Sequence, residues 1–361
     1  MQPVRIAAAH EWVSAYTGSE QVFEAIANVF PEADLFALTH EPGVELDLGG
    51  RSITTTFLDR PSLRNRRGLT LPLMPLAWRA LGKRDYDLVI SSHHAFEHAN
   101  RLASGGTQLC YVHTPARYVW NPEIDERGDD AWMTPARGVL RAVDRRITRR
   151  VDSYAANSTA VQRRIAQHWG REARVIHPPV RVEYFGAQRP TDPTRDYVLG
   201  FGRWIGYKQL DKVIRVAERA CLPVKIAGRG PERKRLELAA SAAVVPVELI
   251  ESPDDEQLRS LYQNARCLVF PTVEDFGMVP VESLAAGTPV IAVADGGALD
   301  TIEDGKTGLL AVSDDEDELA HLVALAGSIN ADACSAAAQR FSLDRFRTAI
   351  SAWVAEYAPD A

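Results

Sequence analysis

The chain has few cysteines and no long apolar run, and both absences narrow its class. Its four cysteines, Cys110, Cys221, Cys267 and Cys334, are far apart and form no Cys-x-x-Cys pair. That spacing excludes a disulfide-framework domain and argues against a structural zinc site, as in a reducing compartment. No apolar stretch reaches the roughly 18 residues of a bilayer span. Met1-Gln2-Pro3-Val4-Arg5-Ile6 lacks a basic stretch followed by an apolar one, so no leader peptide is expected there. A cytoplasmic location, at the inner face of the membrane if attached to one, is the expectation. With 46% hydrophobic and 25% charged residues, wholesale disorder is excluded. The 361 residues suit two domains, at roughly 100–200 residues each.

The net charge of −7 is unevenly spread. Residues 1–180 carry 22 Lys and Arg against 20 Asp and Glu, and residues 181–361 carry 19 against 28. Arg60 to Arg84 holds seven basic residues and no acidic one, and Arg137 to Arg150 holds six against Asp144 alone. An acidic chain with local basic clusters is not a general nucleic-acid binder, which shows a basic domain. It fits a protein with one anion-facing surface.

Short apolar runs alternate with helical stretches throughout. Val4–Ala9, Asp34–Leu38, Asp87–Ser91, Gln108–Val112 and Ser153–Ala156 read as strands. Glu20–Phe30, Arg137–Arg150 and Thr159–Trp169 read as helices. The prolines Pro178, Pro179, Pro190 and Pro193 mark a linker over 181–195. Beyond it the pattern restarts with Tyr197–Phe201, Val224–Ala227, Val247–Ile250, Cys267–Phe270 and Pro289–Val293. This alternation predicts an α/β chain of two Rossmann-like domains, 1–180 and 196–340, facing each other across an interdomain cleft. Residues 341–361 add a closing helix. Its Phe346, Ile350, Trp353 and Tyr357 recur every three or four residues, as a docking face does.

Nucleotide fingerprints fail on inspection. Gly200-x-Gly202 and Gly228-x-Gly230 lack the third glycine of a dinucleotide loop, and Gly305-Lys306-Thr307 lacks the first glycine of a P-loop. Asp85-Tyr86-Asp87 leads into a strand, so it reads as a turn rather than a metal-nucleotide motif. His93, His94 and His98 follow that strand and read as cleft-lining histidines that bind substrate; no metal site is expected. The second half offers more. Glu274 follows the strand Cys267–Phe270, and Glu282 lies in the next helix. Arg203 and Lys208 flank the glycine turn after Gly202, good geometry for a diphosphate. Asp295-Gly296-Gly297 opens another helix. Cations suit phosphates and carboxylates suit sugar hydroxyls, so the combination reads as a nucleotide-sugar site.

At these residues the chain resembles the retaining GT-B glycosyltransferases with an E-x7-E motif, the family-four type, and among them the bacterial mannosyltransferases. Glu274 and Glu282 have the motif's spacing, and Gly202-Arg203…Lys208 resembles the family's phosphate-binding pair. Val224–Gly230 is similar to its strand-turn near the nucleobase, and Tyr111-Val112-His113-Thr114-Pro115-x-Arg117-Tyr118-x-Trp120 to its His-Thr-Pro segment. The resemblance implies a metal-independent, cofactor-free transfer of a hexose, foremost mannose from GDP-mannose, to a glycan or lipid-linked acceptor. It implies catalytic roles for His113, Arg203, Lys208 and Glu274. Gly18, Ser19, Gly202, Gly228, Phe276, Gly277, Met278 and Glu282 would bind the donor, Glu282 at its ribose. The closing helix would pack back on the first domain. Two departures stand out: Gly18-Ser19 replaces a Gly-Gly pair, and Asp300 replaces a glutamate.

Other readings of these residues are a UDP-sugar transferase, a GT-B epimerase, a glycoside hydrolase with paired carboxylates, and a non-catalytic partner protein. A hydrolase leaves Arg203, Lys208 and the glycine loops without work. Finally, Arg60–Arg84 interleaves its cations with Leu63, Leu69, Leu71, Leu73, Met74, Leu76, Trp78 and Leu81. That pattern suits peripheral contact with an anionic membrane, extended by Arg141, Arg145 and Arg149, Leu and Trp entering the interface. An amphipathic helix pair with its apolar side in the core is the plainer reading.

Overall fold

The computed structural model describes residues 4–64, 70–121 and 133–358. The chain divides into two compact units. Unit 1 comprises Met1–Pro179 and Leu343–Ala361, and unit 2 comprises Val180–Ser342.

Unit 1 is built on seven strands among the described residues: β1 (Ile6–Val13), β2 (Asp34–His40), β3 (Ile53–Thr55), β4 (Leu88–His93), β5 (Thr107–Val112), β6 (Ser153–Ala156) and β7 (Arg174–Val175). They pair in the order β3-β2-β1-β4-β5-β6-β7, every pair parallel. Central strands of such a sheet are covered on both faces, and β1 and β4 are buried along their whole length. β1 extends four residues beyond the apolar run, carrying His10 and Glu11 inside.

The helix Gly18–Val29 starts on a capping box, Thr17 with Glu20, and buries Val22, Phe23, Ala25 and Ile26. In the same core lie Phe346, Ile350, Trp353 and Val354 of the last helix, Leu343–Ala355. Burying such a side chain is worth roughly 1.5–3 kcal/mol. Trp353 Nε1 also donates to Ser153 Oγ at 3.0 Å. Tyr357 remains 39% exposed, and Val354 takes its place in the docking face.

Unit 2 carries β8 (Val198–Arg203), β9 (Val224–Arg229), β10 (Val247–Glu251), β11 (Cys267–Phe270), β12 (Val290–Val293) and β13 (Gly308–Ala311). Their order is β10-β9-β8-β11-β12-β13, again parallel. The helix Leu210–Arg219 covers one face with Leu210, Val213, Ile214, Val216 and Ala217.

Two expectations change. The segment 181–195 is no free linker: Val182–Gly186 is helical, and Val182 and Phe185 are fully buried in the unit 2 core. Within Arg60–Arg84, residues 65–69, with Arg66, Arg67 and Leu69, lie outside the described residues. Of its apolar side chains, Leu71, Met74 and Trp78 are core, and Leu73 and Leu76 are exposed. Arg145 and Arg149 remain exposed, while Arg141 and Arg145 also pack on Trp120. Their guanidinium carbons stand 5.5 and 5.0 Å over its ring, and their Nε atoms donate to the carbonyls of Val119 and His168. No described helix is long and apolar enough to cross a membrane.

Candidate active site

In each sheet the strand order reverses once beside the first strand: between β1 and β4 in unit 1, and between β8 and β11 in unit 2. Helices leave in opposite directions there, opening a crevice at the carboxyl ends of the strands. Most of the sequence-derived candidates fall at these two points.

At the unit 2 reversal, Lys208 and Glu274 form an ion pair. Lys208 comes from the turn after β8 and Glu274 from the loop after β11. The Lys208 ammonium stands over the Phe270 ring at 5.5 Å, and its side chain is only 10% exposed. Thr272 fixes the two loops together, its Oγ1 lying 3.2 and 3.0 Å from the carbonyl oxygens of Tyr207 and Lys208. Arg203 is exposed and reaches the Tyr207 hydroxyl at 3.2 Å. Gly202 runs alongside the Lys208 stem.

The third loop joins backbone to backbone. Gly297 N donates to Glu274 O at 2.8 Å, and a Cβ on Gly297 would stand 2.1 Å from Phe276 O. Gly228 serves the same end on the other side: at φ +136, a Cβ there would stand 1.9 Å from Gly202 O. Its requirement is thus the close approach of β9 to β8. Gly277 opens the helix Met278–Ala285. The Phe276 side chain is in the core, edge-on to Phe341 at 5.4 Å. The Phe276 carbonyl lies against Gly297 in the loop. Met278 packs against the same core from a half-buried position.

Glu282, one turn along that helix, accepts a hydrogen bond from the buried Tyr262 hydroxyl at 3.0 Å. Burial pushes its carboxyl up to about 7, against the opposing pull of Tyr262 and Arg181. Glu274 and Glu282 are therefore unlike: one is paired with a cation, the other is poised between charge states near neutral pH.

At the unit 1 reversal, Ser92 Oγ lies 3.1 Å from His10 Nδ1 and 2.8 Å from His113 Nε2, donating to one ring and accepting from the other. Burial, then the neighbouring His94 and His93, pushes His113 down to about 3. It is a neutral imidazole at neutral pH, fit to exchange hydrogen bonds but weak as a base. Glu11 spans His94 Nδ1 with both oxygens, at 3.0 and 2.9 Å. Gly18 and Ser19 form the first turn of the helix Gly18–Val29, where Ser19 Oγ donates to Glu20 at 3.1 Å.

Sequence reading missed His10 and Glu11. The signal was the apolar Trp12-Val13 that follows them, which shows the strand continuing past Ala9.

His93 and His98 are not substrate ligands at a crevice. Both are fully buried, with His93 Nδ1 2.8 Å from Glu97 and His98 Nε2 3.0 Å from Asp144. Asp144 Oδ2 also accepts from the indoles of Trp120 and Trp169, each at 2.7 Å. This network ties helix Met133–Ile147 to helix Thr159–Trp169 and to β4. Asp85-Tyr86-Asp87 is likewise structural: Asp87 accepts the Arg5 amide at 2.8 Å, and Tyr86 donates to Asp34 at 2.5 Å.

Two parallel sheets that each reverse once fit the GT-B fold of glycosyltransferases. Residues 16–184 match the family described as Glycosyltransferase Family 4, and residues 185–340 match Glycosyl transferases group 1. The chain belongs to the GT-B glycosyltransferases on both counts. It is 30% identical over 270 residues to a D-inositol 3-phosphate glycosyltransferase of Streptomyces scabiei, covering 65% of this chain and 58% of that protein. It thus spans less than two thirds of that relative's length. A shorter match, 50% identical over 58 residues, links 16% of it to 14% of the alpha-1,3/1,6-mannosyltransferase ALG2 of Dictyostelium discoideum. Among solved structures, Anabaena HepE in complex with UDP and glucose is similar with a TM-score of 0.72 at 17% identity, over 96% of this chain and 99% of that one.

Proposed function

We propose that this chain is a retaining hexosyltransferase using a nucleoside-diphosphate sugar. The observation that carries this reading is the Lys208–Glu274 pair held at the β8–β11 reversal, with Arg203 beside it. In the step, the donor C1–O bond breaks while the acceptor oxygen bonds to C1 on the same face. The leaving diphosphate takes the acceptor hydroxyl proton. Lys208 and Arg203 would hold the charge growing on that diphosphate, the electrostatic contribution that dominates such reactions. Glu274 would accept from the donor-sugar hydroxyls and Glu282 from the ribose. The neutral His113 imidazole is assigned to a substrate hydroxyl. The two cations supply the charge, so no metal or other cofactor is assigned.

Mannose from GDP-mannose is the donor we assign, with support from the mannosyltransferase match. A UDP-sugar is the second reading, favoured by the UDP held in the HepE structure. The assigned acceptor is a glycan or lipid-linked saccharide. A phosphorylated polyol is the alternative, on the names of the inositol phosphate relatives. Incubation with GDP-mannose, UDP-glucose, UDP-galactose and UDP-N-acetylglucosamine, with EDTA present, tests the reading. Turnover of GDP-mannose with the product anomer matching the donor is expected. The assignment fails if no donor is consumed, or if Arg203→Ala and Lys208→Ala both keep full activity.

A further inference from the structure

The basic clusters at 60–84 and 137–150 meet in a place the transfer reaction does not use. A cavity of about 330 Å³ in unit 1 is lined by Lys83, Arg101 and Arg150, with Asn100, Gly106 and Gln108 at its wall. Arg79 and Arg146 stand close by. Burial, and then the charges of Arg101, Arg150 and Arg146, lowers the Arg79 guanidinium from its ordinary value. Arginine stays protonated in proteins, so these neighbours simply repel one another.

Two of their donors have no described partner. The Nε atoms of Arg79 and Arg101 are buried and accepted by nothing among the described residues. None of Arg79, Lys83, Arg101, Arg146 and Arg150 has a described carboxylate within ion-pair distance. Of the carboxylates on adjoining backbone, Asp152 accepts the Gln108 amide at 2.8 Å, and Asp85 forms no ion pair with a described residue although its backbone bridges Ala103 at the cavity wall. Elsewhere the chain pairs its arginines readily, as in Arg215 with Asp211 and Glu316.

The placement separates this cavity from the candidate active site within unit 1. Gly106 and Gln108 are at the amino end of β5, whereas His113 follows its carboxyl end. Lys83 precedes β4, and Arg150 precedes β6, at the same amino edge. Arg79 and Arg101 are half-buried and Lys83, Arg146 and Arg150 exposed, so like charges gather at the mouth of the cavity and a bound anion would offset their repulsion. Guanidinium forks suit the oxygens of phosphate in particular.

We propose that this cavity is a second anion site, which binds a phosphate or diphosphate group, either free or on a lipid headgroup. Its cations differ from those of the donor loop. The two sites therefore succeed or fail independently, and the assignment does not depend on the sugar transferred.

The test is calorimetric titration of inorganic pyrophosphate, at low ionic strength, into the full chain carrying Arg203→Ala and Lys208→Ala, which silences the donor loop. One bound pyrophosphate is expected, weakened at least tenfold when Arg101→Ala and Arg150→Ala are added. A parallel arm sediments the chain with phosphatidylcholine vesicles, with and without phosphatidylglycerol. Retention on phosphatidylglycerol alone, lost with the same two substitutions and unaccompanied by pyrophosphate binding, assigns the anion to a headgroup. Binding in neither arm overturns the proposal, as does binding that the substitutions leave unchanged. The melting temperature distinguishes a folding defect: removing two unpaired cations should hold or raise it, and Arg101→Lys with Arg150→Lys should restore part of the binding. A lower melting temperature, with no rescue by lysine, would make the two arginines structural and sink the site.

Discussion

The two strand-order reversals share one backbone topology and carry opposite chemistry. In unit 1 the reversal is lined by imidazoles kept neutral by burial, linked through Ser92 and braced by Glu11. In unit 2 it is lined by fixed charge, Lys208 against Glu274, with exposed Arg203 beside them. Parallel sheets place residues at the same positions in both, yet only the second can offset a diphosphate. Function in this fold is carried by the side chains at the strand ends rather than by the sheet.

The sharpest way to break that comparison is to remove charge at one reversal and a ring at the other. Lys208→Ala should lower transfer by about 10²–10³-fold, the cost of losing one preorganised charge stabiliser. His113→Gln should cost clearly less, because a neutral imidazole contributes hydrogen bonding alone. Steady-state rates with a single donor decide it; equal losses would show that both reversals stabilise charge.

A second prediction concerns the support beneath the unit 1 reversal. Burial opposes ionisation of Asp144, but its bonds to His98 and Trp120 and the nearby His93 outweigh it and hold the carboxyl below its ordinary range. Asp144→Asn leaves buried donors facing an amide, which should cost about 3–5 kcal/mol. Urea unfolding followed by hydrogen exchange should place that loss in unit 1, with the β8–β13 amides unchanged. A loss spread over both units would contradict it.

The buried histidines of unit 1 and Glu282 of unit 2 should also answer pH with opposite signs. His10, His93 and His113 are all depressed, in each case chiefly by burial. Below about 6.5 the unfolded chain binds protons that the folded rings refuse, so unit 1 loses stability as pH falls through that value. Glu282 runs the other way. Its raised carboxyl adds stability that is fully present below the unfolded value and lost as pH rises through about 7. Hydrogen exchange at pH 7.5 and 5.5 should show β1, β4 and β5 weakening on acidification while the Met278–Ala285 helix gains. Parallel changes in both would refute the assignment of the two sets of groups.

Much of the fold was legible because buried parallel strands are written as apolar runs. β4, β5, β6, β11 and β12 are such runs, and their spacing set the topology. β3 and β7 were not, because a three-residue and a two-residue edge strand carry too little pattern. That Arg203, Lys208 and Glu274 follow strand ends could be inferred from their positions; the ion pair between Lys208 and Glu274 could not. The direction of Phe276 could not, since spacing says nothing about which way a side chain turns from a glycine-bounded loop. His93 and His98 were misplaced for a related reason. Asp144, Trp120 and Trp169, which bury them, come from three distant segments, and nothing local to the histidines announces those partners.

The smallest effect expected is at Tyr262, and it isolates Glu282 from Glu274. Tyr262 donates its hydroxyl to Glu282 Oε2 at 3.0 Å and thereby favours the charged carboxylate, partly offsetting burial. Tyr262→Phe removes that donor and little volume, so the ring should stay packed against Phe185 and Phe201. A hydrogen bond to a charged group is worth about 1.5–3 kcal/mol, enough to raise the Glu282 midpoint above about 7 while leaving the Lys208–Glu274 pair untouched. If Glu282 holds the ribose as a carboxylate, GDP affinity measured from pH 6 to 9 should rise with pH, and the variant's curve should lie at higher pH than the wild type's. At pH 9 the two should bind alike. Curves that superimpose across the range would remove Glu282 from the donor site and leave it a packing residue of the helix.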